Sequence, residues 1–313
     1  MPNDPRYIVR NGRVTAVGPD VANQINQGGI TVAGDAHADI TAFKHDDVPG
    51  DRVGVVSWEV QIRNETGADR RVWLGGRFSD ATGGGQFDIW SAGQFVAATT
   101  TFTDDTTDAK DAGADDFALQ TTTNDDGFLV GGGQQSGVNA PVARRFNCIV
   151  VDVTTAYTDA AGALGSTSAE HNWQYWNGSA WANLTLLTPG VDLGFVAQEY
   201  AVVWQIPDDW AVYADGDVVG TDDRLIGQYV IRYVNATAPD TAAADAGRVF
   251  VGMARKSFLL VPSGGSDVSD AAPIAMCSKD ERVWMVMDGV GAGMECFLVG
   301  EESEHVGNIG ERR

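Results

Sequence analysis

Short runs in which apolar and polar residues alternate with a period of two recur along almost the whole chain, and they constrain the fold more than any other feature. VGVVSWEVQIRNETG and RRVWLGGRF, from Val53 onward, are the clearest cases. A period of two places alternate side chains on opposite faces of a strand, so each run reads as a half-buried β-strand. Comparable runs return about every 8–15 residues between Gly- and Asp-rich clusters, as sandwiches and barrels require. No long stretch carries helical periodicity, and with 38 glycines among 313 residues long helices are disfavoured. The fold class that follows is all-β, with β-sandwich or jelly-roll-like domains.

The boundaries follow shifts in this pattern. Residues 1–50 are polar, with weak periodicity, and read as an extended arm or clasp that finds partners on other elements or neighbouring subunits. Residues 51–100 form a β-strand region that can belong to a first sandwich, with the Asn-Glu-Thr-Gly stretch at 64–67 as a hairpin turn. GGGQFDIW and GQFVAATTTF read as two further strands. A module over 101–240 follows, closed by the linker ATAPDTAAADAG near 236–247. Residues 248–313 then make a small C-terminal β domain with a polar tail.

The densest aromatic cluster is HNWQYWNGSAWANLT, residues 171–185. Drawn as a hairpin around Asn177-Gly178, a pair suited to a type I′ turn, it puts Trp173 and Tyr175 on one face and Trp176 on the other. Trp181 lies across the turn. A buried tryptophan removes about 150–250 Å² from water, roughly 4–6 kcal/mol as an upper bound. Trp204 and Trp210 supply partners, so core packing is the leading reading of these four aromatics. A platform stacking a sugar is the second.

Charge narrows the partners. There are 43 acidic and 21 basic residues, a net charge of −22, and lysine occurs only at Lys44, Lys110, Lys256 and Lys279. Such a surface repels itself at ordinary ionic strength. At about 1 M salt the Debye length falls to ~3 Å and the repulsion nearly vanishes. The composition therefore points to a high-salt cytoplasm. With no basic stripe to displace counterions from phosphates, direct nucleic-acid binding is not expected.

Chemical motifs are sparse. GxSxG, HExxH, Walker A and CxxC patterns are absent, so the residues spell out no catalytic constellation. GVGAG at 289–293 lies between two strand-like runs and reads as a β-turn. His37, His45, His171 and His305 share no ligand spacing, and Asp208-Asp209 reads as a turn before Trp210. Asp104, Asp105, Asp108 and Asp111, with Asp115 and Asp116, are oxygen ligands of the kind calcium takes. They lack the EF-hand order, so a solvated acidic loop is the first reading and a cation drawn from high salt the second. Cys148 is expected to be buried. Cys277 and Cys296 flank one predicted hairpin and can face each other, but read first as two thiols. Four sequons, at Asn64, Asn177, Asn183 and Asn235, read first as turn and strand-end asparagines and only second as glycosylation sites. No apolar leader core or membrane-length apolar run occurs, so a soluble chain made in the cytosol is expected.

From about Thr101 to Thr237 the order of motifs resembles a β-sandwich module of structural proteins from tailed bacterial and archaeal viruses. The motifs are FTDDTTDAKDAGADDFAL, FLVGGG, RRFNCIVVDVTTA, WQYWNGSAWANL, VVWQIPDDWA and GQYVIRYVNATA. DLGFVAQEYA and the loop AVYADGDVVGTDDRLIG depart from it by being longer. The resemblance implies a virion component assembled in the host cytoplasm, without catalysis or cofactor, whose partners are further copies of itself and major capsid or tail proteins. With the acidic composition, it implies a virus of a halophilic, archaeal host. The leading role is a capsid-attached turret, spike or decoration subunit. A tail or baseplate protein, or a receptor-binding protein that takes a host-surface glycan on its aromatic face, is the alternative.

Overall fold

A computed structural model describes residues 6–10, 13–17, 24–26, 30–32, 36–39, 52–78, 88–111, 117–119, 126–134, 142–155, 171–188, 197–214, 225–235, 245–254, 258–269, 276–278, 284–289 and 294–304. The protein is all-β, and among these residues the strands form three sheets joined by antiparallel pairings. The first sheet gathers both ends of the chain. Its strands are β1 (Arg6–Arg10), β2 (Arg13–Val17), β3 (Gln24–Asn26), β4 (Ile30–Val32), β6 (Arg52–Asn64), β20 (Ser266–Ser269), β21 (Met276–Ser278) and β23 (Met294–Glu304). The second contains β5 (His37–Asp39), β7 (Arg70–Phe78), β10 (Phe117–Ala118), β13 (Cys148–Thr155), β16 (Glu199–Val203), β18 (Asp245–Met253), β19 (Leu259–Val261) and β22 (Trp284–Met287). The third contains β8 (Asp88–Val96), β9 (Thr101–Asp104), β11 (Gly127–Gln134), β12 (Val142–Ala143), β14 (His171–Trp176), β15 (Trp181–Asn183) and β17 (Tyr229–Asn235). One short helix, α1 (Thr106–Lys110), follows β9.

The second and third sheets pack face to face as a β-sandwich. Ile149, Val151 and Val153 of β13 and Val249 and Val251 of β18 meet Phe128 and Val130 of β11, Trp173 and Tyr175 of β14, and Ile231 and Tyr233 of β17. The alternation of the sequence sets these choices, because a strand offers every second side chain to the same face. β13 also shows why CIVV lacks polar residues. Cys148 and Val150, on its opposite face, lie in a second core with Trp73, Ala201, Val203 and Val286. With both faces covered, no position in that stretch meets water.

Several local expectations change. Asn-Glu-Thr-Gly does not join paired strands, because β6 lies in the first sheet and β7 in the second. It is a corner, fixed by the buried Asn64. Its amide Nδ2 donates to the carbonyls of Val261 at 2.8 Å and Ala68 at 2.9 Å, and its backbone N–H donates to Gly265 at 2.9 Å. The runs FDIW and GQFV are one strand, β8. Gly93 lets it continue, since a Cβ there would stand 1.9 Å from the backbone oxygen of Thr103 on neighbouring β9. Cys277 and Cys296 do not face each other. Cys277 lies opposite Val53 and Cys296 opposite Ile62, nine positions apart along β6, or about 30 Å at strand rise.

The sheets take strands from several of the segments delimited in the sequence. β3 and β4 pair with β23, and β5 with β22, joining the first fifty residues to the last thirty. β18, from Asp245, lies between β13 and β7 within the sandwich. Residues 236–244 of the linker lie outside the described residues. Among those described, no helix is long and apolar enough to cross a membrane.

Candidate functional site

The hairpin of β14 and β15 divides its aromatics between two environments. Trp173 pairs with Tyr233 across β14 and β17, and their rings lie 4.8 Å apart inside the sandwich. Phe128 meets Trp173 edge-on at 5.9 Å. Tyr175, on the same face, stands 6.3 Å from Trp210, which with Phe146 and Trp204 completes this end of the core. Trp176 and Trp181, opposite each other in the register, turn to the outer face of the third sheet. There they meet Tyr213, Leu225 and Val230 beneath the segment that follows Trp210.

The tip of the hairpin is a four-residue loop, Asn177 to Ala180, rather than a two-residue type I′ turn. Only Gly178 has a positive φ, 93°. Asn177 closes the loop: its N–H donates to Ala180 O at 3.1 Å, and its Oδ1 accepts from the Ser179 N–H at 3.0 Å, the Ser179 hydroxyl at 3.1 Å and the Ala180 N–H at 2.8 Å. An asparagine that returns bonds to its own turn holds the chain in a conformation glycine must complete.

Trp176 and Trp181 are 5.5 Å apart and inclined at 64°, so they present no common plane. The Arg232 guanidinium lies 4.4 Å over Trp181 and 5.5 Å from the ring of Phe95. Arg232 also donates through Nε to Gln174 Oε1 at 2.7 Å, and Gln174 donates through Nε2 to Asn183 Oδ1 at 2.9 Å. The sequence reading passed over Arg232, although a lone charge among the apolar residues of YVIRYV is a signal that it faces something specific.

The PDDW turn is held in the same manner. Arg145 donates to the carbonyls of Pro207, Asp208 and Trp210 and lies 5.4 Å over Tyr229. The Tyr175 hydroxyl donates to Asp209 Oδ1 at 2.8 Å. Burial, and then the bond to Asp209 and its charge, raise the Tyr175 hydroxyl above its ordinary value. Asp209 therefore serves as an acceptor that positions a ring, and Asp208 contributes a backbone carbonyl.

Asp104 Oδ1 accepts from the Thr106 hydroxyl, whose oxygen accepts the Ala92 N–H at 2.9 Å, tying α1 to β8. Asp105 stands at the start of α1 without a side-chain capping bond. Its partial burial, then the charges of Asp108 and Asp104, raise its carboxyl above the usual range. Asp111 ends the helix. Asp115 and Asp116 lie outside the described residues, and among those described no group of three or more His, Cys, Asp or Glu is arranged to hold a metal.

His37 pairs with Val286 and His171 with Asn235 on different sheets, while His45 and His305 lie outside the described residues, as do residues 290–293 of GVGAG. Cys148 is a free, buried thiol, pushed well above its ordinary value by desolvation and then by Glu199. Glu199 is itself buried, and its Oε2 accepts the Ala36 N–H at 2.6 Å, tying the N-terminal region to β16. No sequence signal marked it beyond a charge at the head of an apolar run. No family model, curated protein or solved structure matches this chain.

Proposed function

We propose that the chain is a structural component of a tailed virus particle, a capsid-attached surface subunit that acts by assembly. One observation carries most weight: among the described residues, the polar side chains around the aromatic hairpin are engaged in shaping the sandwich. Tyr175 and Asp209 fasten a turn, Arg145 caps it with three bonds, and Arg232 lies over Trp181. A module whose polar side chains brace its own faces suits a rigid building part. The order of motifs from 101 to 237 supports the viral reading, and the net charge of −22 supports a particle exposed to brine.

Purified particles give the test. The chain is expected in complete virions and in tailless heads, at a stoichiometry set by capsid symmetry. Its absence from heads, with retention in isolated tails, would move it to the tail or baseplate, and absence from both would end the virion reading. The halophilic part is tested separately by melting temperature between ~0.1 and ~2 M salt. A rise is expected as screening relieves self-repulsion.

A further inference from the structure

Two of the four sequon asparagines have structural duties that account for them. Asn64 is fully buried; besides its two amide bonds, its Oδ1 accepts the N–H and the hydroxyl of Thr66 at 3.0 and 2.7 Å. Attaching a saccharide there would break the corner between β6 and β7. Asn177 closes its loop, and the Ser179 hydroxyl of its own sequon is bonded back to it. Asn235 ends β17, and its side chain lies outside the described residues.

Asn183 differs. It is exposed on β15, the edge strand of the third sheet. Among the described residues its side chain makes one hydrogen bond, accepting from Gln174 through Oδ1, and it caps no turn. That bond leaves Nδ2, the nitrogen that would carry a sugar, as the open end of the amide. Leu184 is buried and its N–H is held by Trp173 O at 2.8 Å, while Thr185, which supplies the sequon hydroxyl, is exposed. Exposure thus alternates over 183–185, with both recognition residues outward and the residue between them inward. Trp181, two positions earlier and so on the same side of β15, places a half-buried indole beside the amide.

We propose that Asn183 is an N-glycosylation site carrying a saccharide. The donor class is a nucleotide-activated sugar, the soluble form available where the chain is expected to be made. The bond between the anomeric carbon and the phosphate oxygen breaks, and a bond from that carbon to Nδ2 forms. The nucleoside diphosphate leaves with the bonding pair, and one Nδ2 proton passes to a base of the transferase. A saccharide here also shields an edge strand, whose unpaired backbone groups otherwise invite another strand. The site stands independently of the virion reading. Where both hold, this edge faces outward from the particle.

Glycopeptide mass spectrometry on the full chain, recovered from the cells that naturally produce it, decides the matter. The peptide containing Asn183 is expected to carry added saccharide mass. Asn183→Gln and Thr185→Ala each abolish that signal, Thr185→Ser preserves it, and Asn177→Gln leaves it unchanged. Asn183→Gln melts at the parent temperature, because an exposed amide is replaced by another. An unmodified Asn183, or a saccharide confined to Asn177 or Asn235, would overturn the assignment.

Discussion

The two faces of the third sheet are built from the same strands yet are closed in different ways. The inner face meets a second sheet, and its aromatics, Phe128, Trp173 and Tyr233, interlock with residues of β13 and β18 far away in sequence. The outer face is covered by Tyr213, Leu225 and Gln228, which precede β17 in sequence, and by Arg232 over Trp181. Gln228 lies so close to β11 that a Cβ at Gly131 would stand 2.1 Å from its Oε1. Sheet-on-sheet packing gives a dry, deep core. A loop laid on a sheet gives a shallower one, with amides and a cation among the rings.

Truncating the inner ring should cost most. Trp173→Ala is expected to lose about 4 kcal/mol in chemical denaturation, the usual range for a buried tryptophan. An effect near that of an outer ring would break the contrast between the faces. Gly127→Ala comes next, at about 2 kcal/mol, since the new Cβ would stand 1.8 Å from Tyr233 O and push β11 off β17. An unchanged melting temperature would show that this strand pair is looser than its register implies.

Two smaller effects sharpen the comparison. Trp181→Ala on the outer face should cost about 1 kcal/mol, chiefly the ring contact with Arg232. Tyr175→Phe removes the bond to Asp209 and should also cost about 1 kcal/mol at neutral pH. The folded-state value of Tyr175 is raised above its ordinary 10.0, so the stabilisation is fully present below pH 10 and is lost as pH rises through the folded value. The gap between parent and Tyr175→Phe should therefore narrow in alkaline denaturation series. A gap independent of pH would mean that the hydroxyl is not in that bond.

Asp105→Asn is the smallest, a gain of about 0.3 kcal/mol at pH 7 once solvent screening is allowed for. The raised carboxyl means that the folded state holds its proton more firmly than the unfolded chain. Parent stability from this group falls as pH rises from the ordinary 3.8 through the folded value, and the variant escapes that loss. Below that window the two proteins should melt alike.

Period-two patterning was enough to read the all-β class, and β17 shows the alternation in the fold: Ile231 and Tyr233 turn inward, Val230 and Val234 outward. It could not distinguish a hairpin from a corner at 64–67, because both use the same turn residues. The difference lies in Asn64, whose partner Val261 is 197 positions away. Nor could it show that Arg232 would lie over Trp181 or that Glu199 would hold Ala36, since each pair meets only when strands distant in sequence become neighbours.

The sequence by itself determined the all-β class, the opposite facing of Trp173 and Trp176, and the acidic character of the chain, because these follow from local alternation and composition. Which strands pair, how the two ends of the chain share the first sheet, and which sequon asparagine stands open to solvent were decided by the tertiary structure. The physical reason is that backbone pairing carries no side-chain label: any extended segment can hydrogen-bond to any other. Only the joint burial of side chains from both sheets selects the arrangement that forms.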